Sequence, residues 1–442
     1  QQGYEVFLSD GSSLRDDYRN ELQQAGIDFE EGQHTEEKIL NANVNYELPV
    51  ASMAQPLNIA FGTEVRNETY GVKAGEVASY TVGPGAAIGL DANSNGAPGF
   101  SDRQAGSWGQ DSYAAYLDIE APVSKALNLG AAVRYEHFSE FGNTVNGKLS
   151  TRYALNPDTA LRGSYSTGFR APTPGQSNTN STGQGLDTKT LLLFTSGRLA
   201  NNDPLAILLG AQPLKPEKSQ NLSLGLTWKN ALGFSGSVDV YNIKVTDRFS
   251  TSASFAVPAG IANPLRYTSV SYFTNDFDTT TRGIDIVGSH LSKLGNGKLN
   301  LTLAYNYNTT TVDSGQSSVA TNAAQRKVFE ERLPRQKATI SGNYESGNWD
   351  ALARVRYYGA WTDNSGNATG DIFQRFGGIQ FLDIALSYKL SQKQSIRAGI
   401  DNLLNKYPDE ASFQASRGLI YSRNAPYDTD GRSLYVEYKV KF

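Results

Sequence analysis

The chain has 442 residues, with 40 lysines and arginines against 44 aspartates and glutamates, a net charge of −4 and no cysteine. That balance argues against a general nucleic-acid binder, and the missing thiols exclude disulfides and thiolate metal sites. No apolar run is long enough for a membrane helix; spanning by strands stays open, since half of each such strand is polar and a mean hydropathy of −0.44 is then no obstacle.

In chain order, alternation between turn signals predicts about fifteen strands: 37–50, 56–70, 110–120, 127–139, 146–156, 160–168, 218–229, 233–247, 280–291, 298–308, 336–345, 349–359, 379–390, 395–403 and 432–442. Leu127, Leu129, Ala131, Val133 and Tyr135 alternate with Asn128, Arg134 and Glu136. Leu222, Leu224, Leu226 and Trp228 alternate with Ser223, Gly225 and Thr227, and the chain closes on Leu434, Val436, Tyr438 and Val440 interleaved with Tyr435, Glu437, Lys439 and Lys441. Such strands suit lipid on one face and a wet lumen on the other. A soluble sandwich also has period two, but 24 tyrosines and aromatics near strand ends favour interfacial girdles. The expected fold class is all-β, a transmembrane antiparallel β-barrel.

Connections alternate in length. Those at 51–55, 121–126, 157–159, 230–232, 292–297, 346–348 and 391–394 are short, while 71–109, 169–217, 248–279, 309–335, 360–378 and 404–431 are long. Outer-membrane barrels put short turns in the periplasm and long loops outside, so the last strand descends to a periplasmic C-terminus. Counting back about fifteen strands makes the first descend too, and bacterial barrels have even strand numbers. An odd number of further upstream strands, or a miscounted strand, would restore parity; residues 1–36 are then the remainder of an extracellular loop, and 37–442 the C-terminal part of the barrel. Within 169–217, Asp203 is placed to cap a short helix with Pro204 first, stopped by Gly210.

Several segments sit at these strand ends. Gly168-Phe169-Arg170-Ala171-Pro172 is followed by Leu214-Lys215-Pro216-Glu217-Lys218-Ser219-Gln220-Asn221, then by Thr281-Arg282-Gly283-Ile284-Asp285-Ile286, Arg332-Leu333-Pro334, Asp401-Asn402-Leu403-Leu404-Asn405-Lys406 and the terminal Phe442. In order and spacing they resemble the C-terminal barrel region of TonB-dependent outer-membrane receptors, from about residue 37 onward. The resemblance implies a 22-stranded barrel closed by an N-terminal plug, importing a scarce nutrient with energy from the TonB complex. It also implies a missing plug and about seven missing strands, an odd number as the topology requires. A location in the outer membrane of a Gram-negative bacterium, contacts with outer-membrane lipid and lipopolysaccharide, and a small-molecule nutrient as ligand follow from it. A ferric siderophore is the commonest cargo of the family. Phe169, Pro172, Pro216, Glu217, Gly283, Asn402, Asn405 and Phe442 are its structural signatures.

The ligand-binding candidates are Arg170, Tyr267, Tyr272, Phe273, Tyr358 and Trp361, with Phe277, Tyr357 and Phe373 as further aromatics at the same end. Each also has a plain packing role: a guanidinium can tie loop carbonyls, and rim aromatics fill loops. Asp91, Asn93, Asn95 and Asp102 offer oxygens to calcium but lack the spaced twelve-residue pattern, which favours an ordinary loop. His34, His137 and His290 form no sequential ligand motif, and no nucleophile elbow, phosphate loop or zinc-hydrolase helix occurs. The expectation is therefore a non-enzyme without cofactor, metal site or nucleic-acid partner. A passive channel or an adhesion scaffold is the alternative to active uptake.

Overall fold

The computed structural model describes residues 32–81, 83, 99–186, 193–263, 265–316, 318–363, 373–412 and 419–441. Its strands are β1 (Gly32–Leu48), β2 (Leu57–Lys73), β3 (Gly106–Ala121), β4 (Leu127–Phe138), β5 (Gly142–Asn156), β6 (Thr159–Arg170), β7 (Ser181–Leu186), β8 (Leu193–Leu199), β9 (Glu217–Lys229) and β10 (Phe234–Thr251). They continue with β11 (Phe255–Ala256), β12 (Ser269–Leu294), β13 (Gly297–Ser314), β14 (Gln336–Ser346), β15 (Trp349–Tyr358), β16 (Trp361–Asp363), β17 (Gln374–Phe376), β18 (Ile379–Lys389), β19 (Gln394–Asp401) and β20 (Ser433–Val440).

Setting aside β7, β8, β11, β16 and β17, the remaining strands correspond one for one with those predicted. Each pairs antiparallel with its neighbour in the barrel sheet, the step from β6 to β9 passing over the loop strands. Among the described residues, β1 pairs with β2 and β20 with β19, each on one side.

Alternation sorts the faces. Leu129, Val133 and Tyr135 on β4, Leu149 and Tyr153 on β5, and Leu222 and Leu224 on β9 are exposed on the outer surface, as lipid-facing side chains must be. The inner face carries Arg134 with Glu64 and Glu136, Arg162 with Asp239 at 2.5 Å, and Asn306 on Asp285 at 2.6 Å. Such polar ladders are stable where water fills the lumen, each half-exposed pair contributing about 0–1 kcal/mol. Gly283 leaves room for the Tyr241 ring, which lies where its Cβ would be.

Several strand ends differ from the sequence pattern, β13 for one running to Ser314 against an expected 308. β1 starts at Gly32, five residues before the expected 37. β12 runs 26 residues against an expected twelve. Its upper part continues above the barrel because Ser269–Tyr272 pairs parallel with Ser196–Leu199 of β8 and antiparallel with β11. That pairing lies within loops, where composition carries no period.

Candidate functional site

At the long-loop end the described loops fold into two clusters. The first is built on the sheet extension of β12, β8, β7 and β11. Helix α1 (Pro174–Asn178) precedes β7, with Thr173 and Gln176 closing a capping box. Helix α2 (Pro204–Leu208) starts at Asp203, whose side chain accepts from Leu205 N at 2.8 Å, and Gly210 leaves it at a φ of +101°. Leu199, Ala206, Ala211, Tyr267, Val270 and Tyr272 form its core.

Polar bonds complete this cluster. The Tyr272 hydroxyl donates to Leu209 O at 2.9 Å. The Tyr267 and Thr182 hydroxyls meet at 3.0 Å, and Gln104 Nε2 donates to Thr182 at 3.1 Å. Asn201 Nδ2 bridges Gln212 O and Phe273 O at 2.6 and 2.7 Å. Burial pushes the Tyr267 hydroxyl above its ordinary pKa, as a phenolate there would lose its water. Beside it lies a cavity of about 440 Å3, lined among others by Arg103, Gln104, Asn180, Asp203, Leu205 and Tyr267.

The second cluster holds the short β16–β17 hairpin with α3 (Ser318–Thr321) and α4 (Ala323–Glu331) nearby. The Trp361 ring stacks on Phe376 at 4.5 Å between centroids, and its Nε1 donates to the Tyr427 hydroxyl at 3.0 Å. Asp363, fully buried, accepts from Ser422 Oγ at 2.9 Å and Asn424 Nδ2 at 2.8 Å and pairs with Arg332 at 3.3 Å. Thr362 Oγ1 donates to Glu331 at 3.0 Å. Burial also raises the pKa of Tyr427, opposed by the Trp361 hydrogen bond.

These contacts place the candidate residues. Tyr267, Tyr272, Phe277 and Trp361 are buried inside the loops, 7% exposed or less. Phe273 is half-buried beneath Arg198, whose guanidinium sits 4.7 Å from the ring centroid, and Tyr358 is half-buried edge-on to Tyr427 and Phe381. Arg170 is exposed; it lies 3.7 Å from Glu217 and over the Phe249 ring, so among the described residues it reaches a carboxylate and a ring. The two clusters lie on separate elements, and no described contact brings all six candidates together.

The signature residues act through the backbone. Glu217 is buried and accepts from Phe249 N at 2.7 Å, tying β9 to β10. Pro172 is fully buried, and its carbonyl accepts from Gln110 Nε2 at 3.3 Å. Phe169 packs edge-on to Phe138. Asn402 and Asn405 hold left-handed φ of 52° and 51°; Asn402 bonds Lys406 N and O through its side chain, and Asn405 accepts from Arg432 N. The Asn402 N–H donates to Asp383 at 3.0 Å, and Asp383 also takes Arg354 and Arg356 at 2.9 and 2.7 Å. Sequence reading missed Asp383 because an acidic residue in an alternating strand looks like any other lumenal position. Phe442, Asp91, Asn93 and Asn95 lie outside the described residues, while Asp102 accepts from its neighbour Arg103 N. His137 stacks on Tyr113 and His290 on Phe234, on different strands. Among the described residues there is no cluster of three or more metal-ligating side chains.

Residues 3–403 match a family model described as TonB dependent receptor-like, beta-barrel. The chain is 22% identical over 339 residues to an iron-regulated outer membrane virulence protein of Vibrio cholerae, covering 75% of this chain and 44% of that protein. Among solved structures it is similar to the siderophore receptor PirA from Acinetobacter baumannii, at 18% identity and a TM-score of 0.63, covering 93% of this chain and 55% of that one. It is also similar to the ferric enterobactin receptor PfeA from Pseudomonas aeruginosa, at 16% identity and a TM-score of 0.66, over 93% and 54%. The chain thus spans about half the length of the proteins it matches.

Proposed function

The chain belongs to the TonB dependent receptor-like β-barrel family, and from that membership we propose that it forms barrel wall and outer loops of an outer-membrane receptor. The receptor takes up a ferric siderophore or similar chelate with energy from the TonB complex. The observation that carries this reading is the pair of folded loop clusters standing at one end of a sheet whose inner face is polar. The names of the relatives, an iron-regulated outer membrane protein and two siderophore receptors, support the cargo class.

In this reading the long loops face outward and β20 descends to the periplasm. A plug and about seven further strands, supplied outside these residues, close a 22-stranded barrel, and TonB engages the plug. Members of the family are transporters, and the proposal includes no catalysis. The accessible candidates, Arg170, Phe273 and Tyr358, face the ligand; the buried Tyr267, Tyr272 and Trp361 shape the loops that carry them.

The test is uptake of radioiron-labelled chelates by cells carrying the intact receptor or lacking it. Saturable uptake that disappears without TonB is expected. Conductance across planar bilayers without TonB dependence would point to a channel, and protein binding at the cell surface without solute uptake to a scaffold. Arg170→Ala should weaken ligand binding about tenfold, the size of one charge-assisted hydrogen bond at about 1.5 kcal/mol.

A further inference from the structure

The inner face of the wall changes character around the barrel. Residues directly opposite one another on paired strands share a face. Arg134 stands opposite Tyr116 and Asn146, and Tyr116 opposite Gly62, which fixes the inner positions of β2, β3 and β5. On β2 and β3 these include Glu64, Arg66, Glu68, Asp118 and Glu120, and on β5 Lys148 and Arg152. Glu64 and Arg66 pair with each other and with neighbours on the wall. Asp118, Glu120, Lys148 and Arg152 form no ion pair among the described residues, so the strip from β1 to β5 presents uncompensated charge of both signs to the lumen.

From β9 to β14 the inner face is different. Its positions from Ser219 to Thr227 on β9, from Asn300 to Thr310 on β13 and from Thr339 to Asn343 on β14 carry hydroxyls or amides, apart from Gly225 and Ala304. Asp239 on β10 and Asp285 on β12 stand on the same face, and both are engaged within the wall: Arg162 Nε donates to Asp239 at 2.7 Å and Asn306 Nδ2 to Asp285 at 2.6 Å. Hydroxyls meet across the strands, Ser164 with Ser223 at 2.8 Å, Ser235 with Ser289 at 2.7 Å and Thr281 with Thr310 at 2.8 Å. This face satisfies its own hydrogen bonds and calls for no counter-charge from across the lumen.

That division decides where a filled lumen can give way. Whatever seats against β1 to β5 is held by counter-charges, and pulling such pairs apart in a confined space strands ions on both sides. Hydroxyls and amides exchange a partner for water at small net cost. They also offer a moving solute many weak contacts in place of one strong one, which is the condition for passage without trapping.

We propose that the passage opens along β9 to β14, between this hydroxyl and amide face and the plug, while the plug stays seated on the charged strip of β1 to β5. The inference rests on the uptake reading and adds to it the side of the barrel that the solute follows. A chelate with peripheral oxygens or amides fits such a face through exchangeable hydrogen bonds to Asn221, Asn306, Asn308 and the hydroxyls beside them.

The experiment uses the absence of cysteine from the chain. S223C and A304C report on the hydroxyl and amide face, A132C and S150C on the charged strip, all at inner positions well inside their strands. Cells carry the intact receptor with one of these substitutions and with any cysteine outside these residues replaced by serine. With or without TonB, they are given radioiron bound to a tris-catechol or a tris-hydroxamate chelator together with a small impermeant maleimide. Labelling at S223C and A304C should rise several-fold when TonB and chelate are both present, while labelling at A132C and S150C stays level. Uptake and heat-modifiable electrophoretic mobility show that each variant is folded, and the second position on each face covers one that is not. Equal rises on both faces, a rise confined to A132C and S150C, or no rise anywhere in cells that take up the chelate each overturn the route alone. Absence of TonB-dependent uptake in cells carrying wild type overturns the uptake reading and the route with it.

Discussion

The two loop clusters stand at the same end of the barrel but are held by different means. The cluster around Tyr267 and Tyr272 is framed by main chain: β8 runs parallel to the top of β12, and β7 and β11 add to it. Among the described residues, the cluster around Trp361 has only the short β16–β17 pairing as its sheet and depends on side chains meeting at Trp361 and Asp363. Main-chain bonding spreads the load over many contacts, so single substitutions leave the frame standing. A side-chain hub concentrates it, and one substitution can loosen every loop it joins.

The largest expected effect follows from that contrast. Trp361→Ala removes a buried ring, the stack on Phe376 and the bond to Tyr427, at a local cost of about 3–5 kcal/mol. Hydrogen exchange should rise across 373–376 and 419–427 together. Tyr272→Ala should instead raise exchange near Leu209 while β8 stays protected by its pairing with β12. If β8 opens as widely as β17, the comparison fails.

Asp363→Ala comes next. It strands Ser422 and Asn424, two donors inside the cluster, and releases Arg332, for about 2–4 kcal/mol of local stability. Limited proteolysis should then cut near Ser422 in the variant and not in wild type.

How far the sequence reveals this contrast differs between wall and loops. The wall is legible because lipid on one side and water on the other force period two, and every expected strand recurs, most with ends shifted by a few residues and β12 starting eleven residues early where it leaves the wall. The helix at Asp203 was legible too, since a cap, a proline and a glycine are local signals. The clusters were not. Parallel pairing of Ser196–Leu199 with Ser269–Tyr272 joins segments some seventy residues apart with no shared pattern. Aromatics picked out as an open binding surface, Tyr267, Tyr272 and Trp361, are buried because a loop large enough to fold needs a core, and alternation says nothing about that core.

Alkaline pH should sharpen the comparison with a smaller effect. Burial raises the folded-state pKa of Tyr267 and of Tyr427 above the ordinary value of 10.0. Below pH 10 the stability each neutral hydroxyl contributes is fully present; above it the opened loop loses its proton first, and the contribution is lost as pH rises through the folded-state value. Protection factors, with the base-catalysed intrinsic rise divided out, should therefore fall in both clusters between pH 9 and 11, and a fall confined to the cluster without main-chain framing would show that framing outweighs titration.

The smallest effect separates the two hydroxyls themselves. In Tyr427→Phe the Trp361 indole N–H, buried with its ring, loses the acceptor 3.0 Å away, and an unsatisfied buried donor costs about 1–3 kcal/mol. In Tyr267→Phe the Thr182 hydroxyl loses one partner but still accepts from Gln104 Nε2, so the change should stay at or below about 1 kcal/mol. Removing the same atom thus has unequal consequences, because one hydroxyl is the acceptor for a buried donor and the other shares its partner with a third side chain. Equal losses in the two variants, read as local exchange free energies, would mean that Gln104 gives up Thr182 when Tyr267 changes, and that the first cluster too hangs on a side-chain hub.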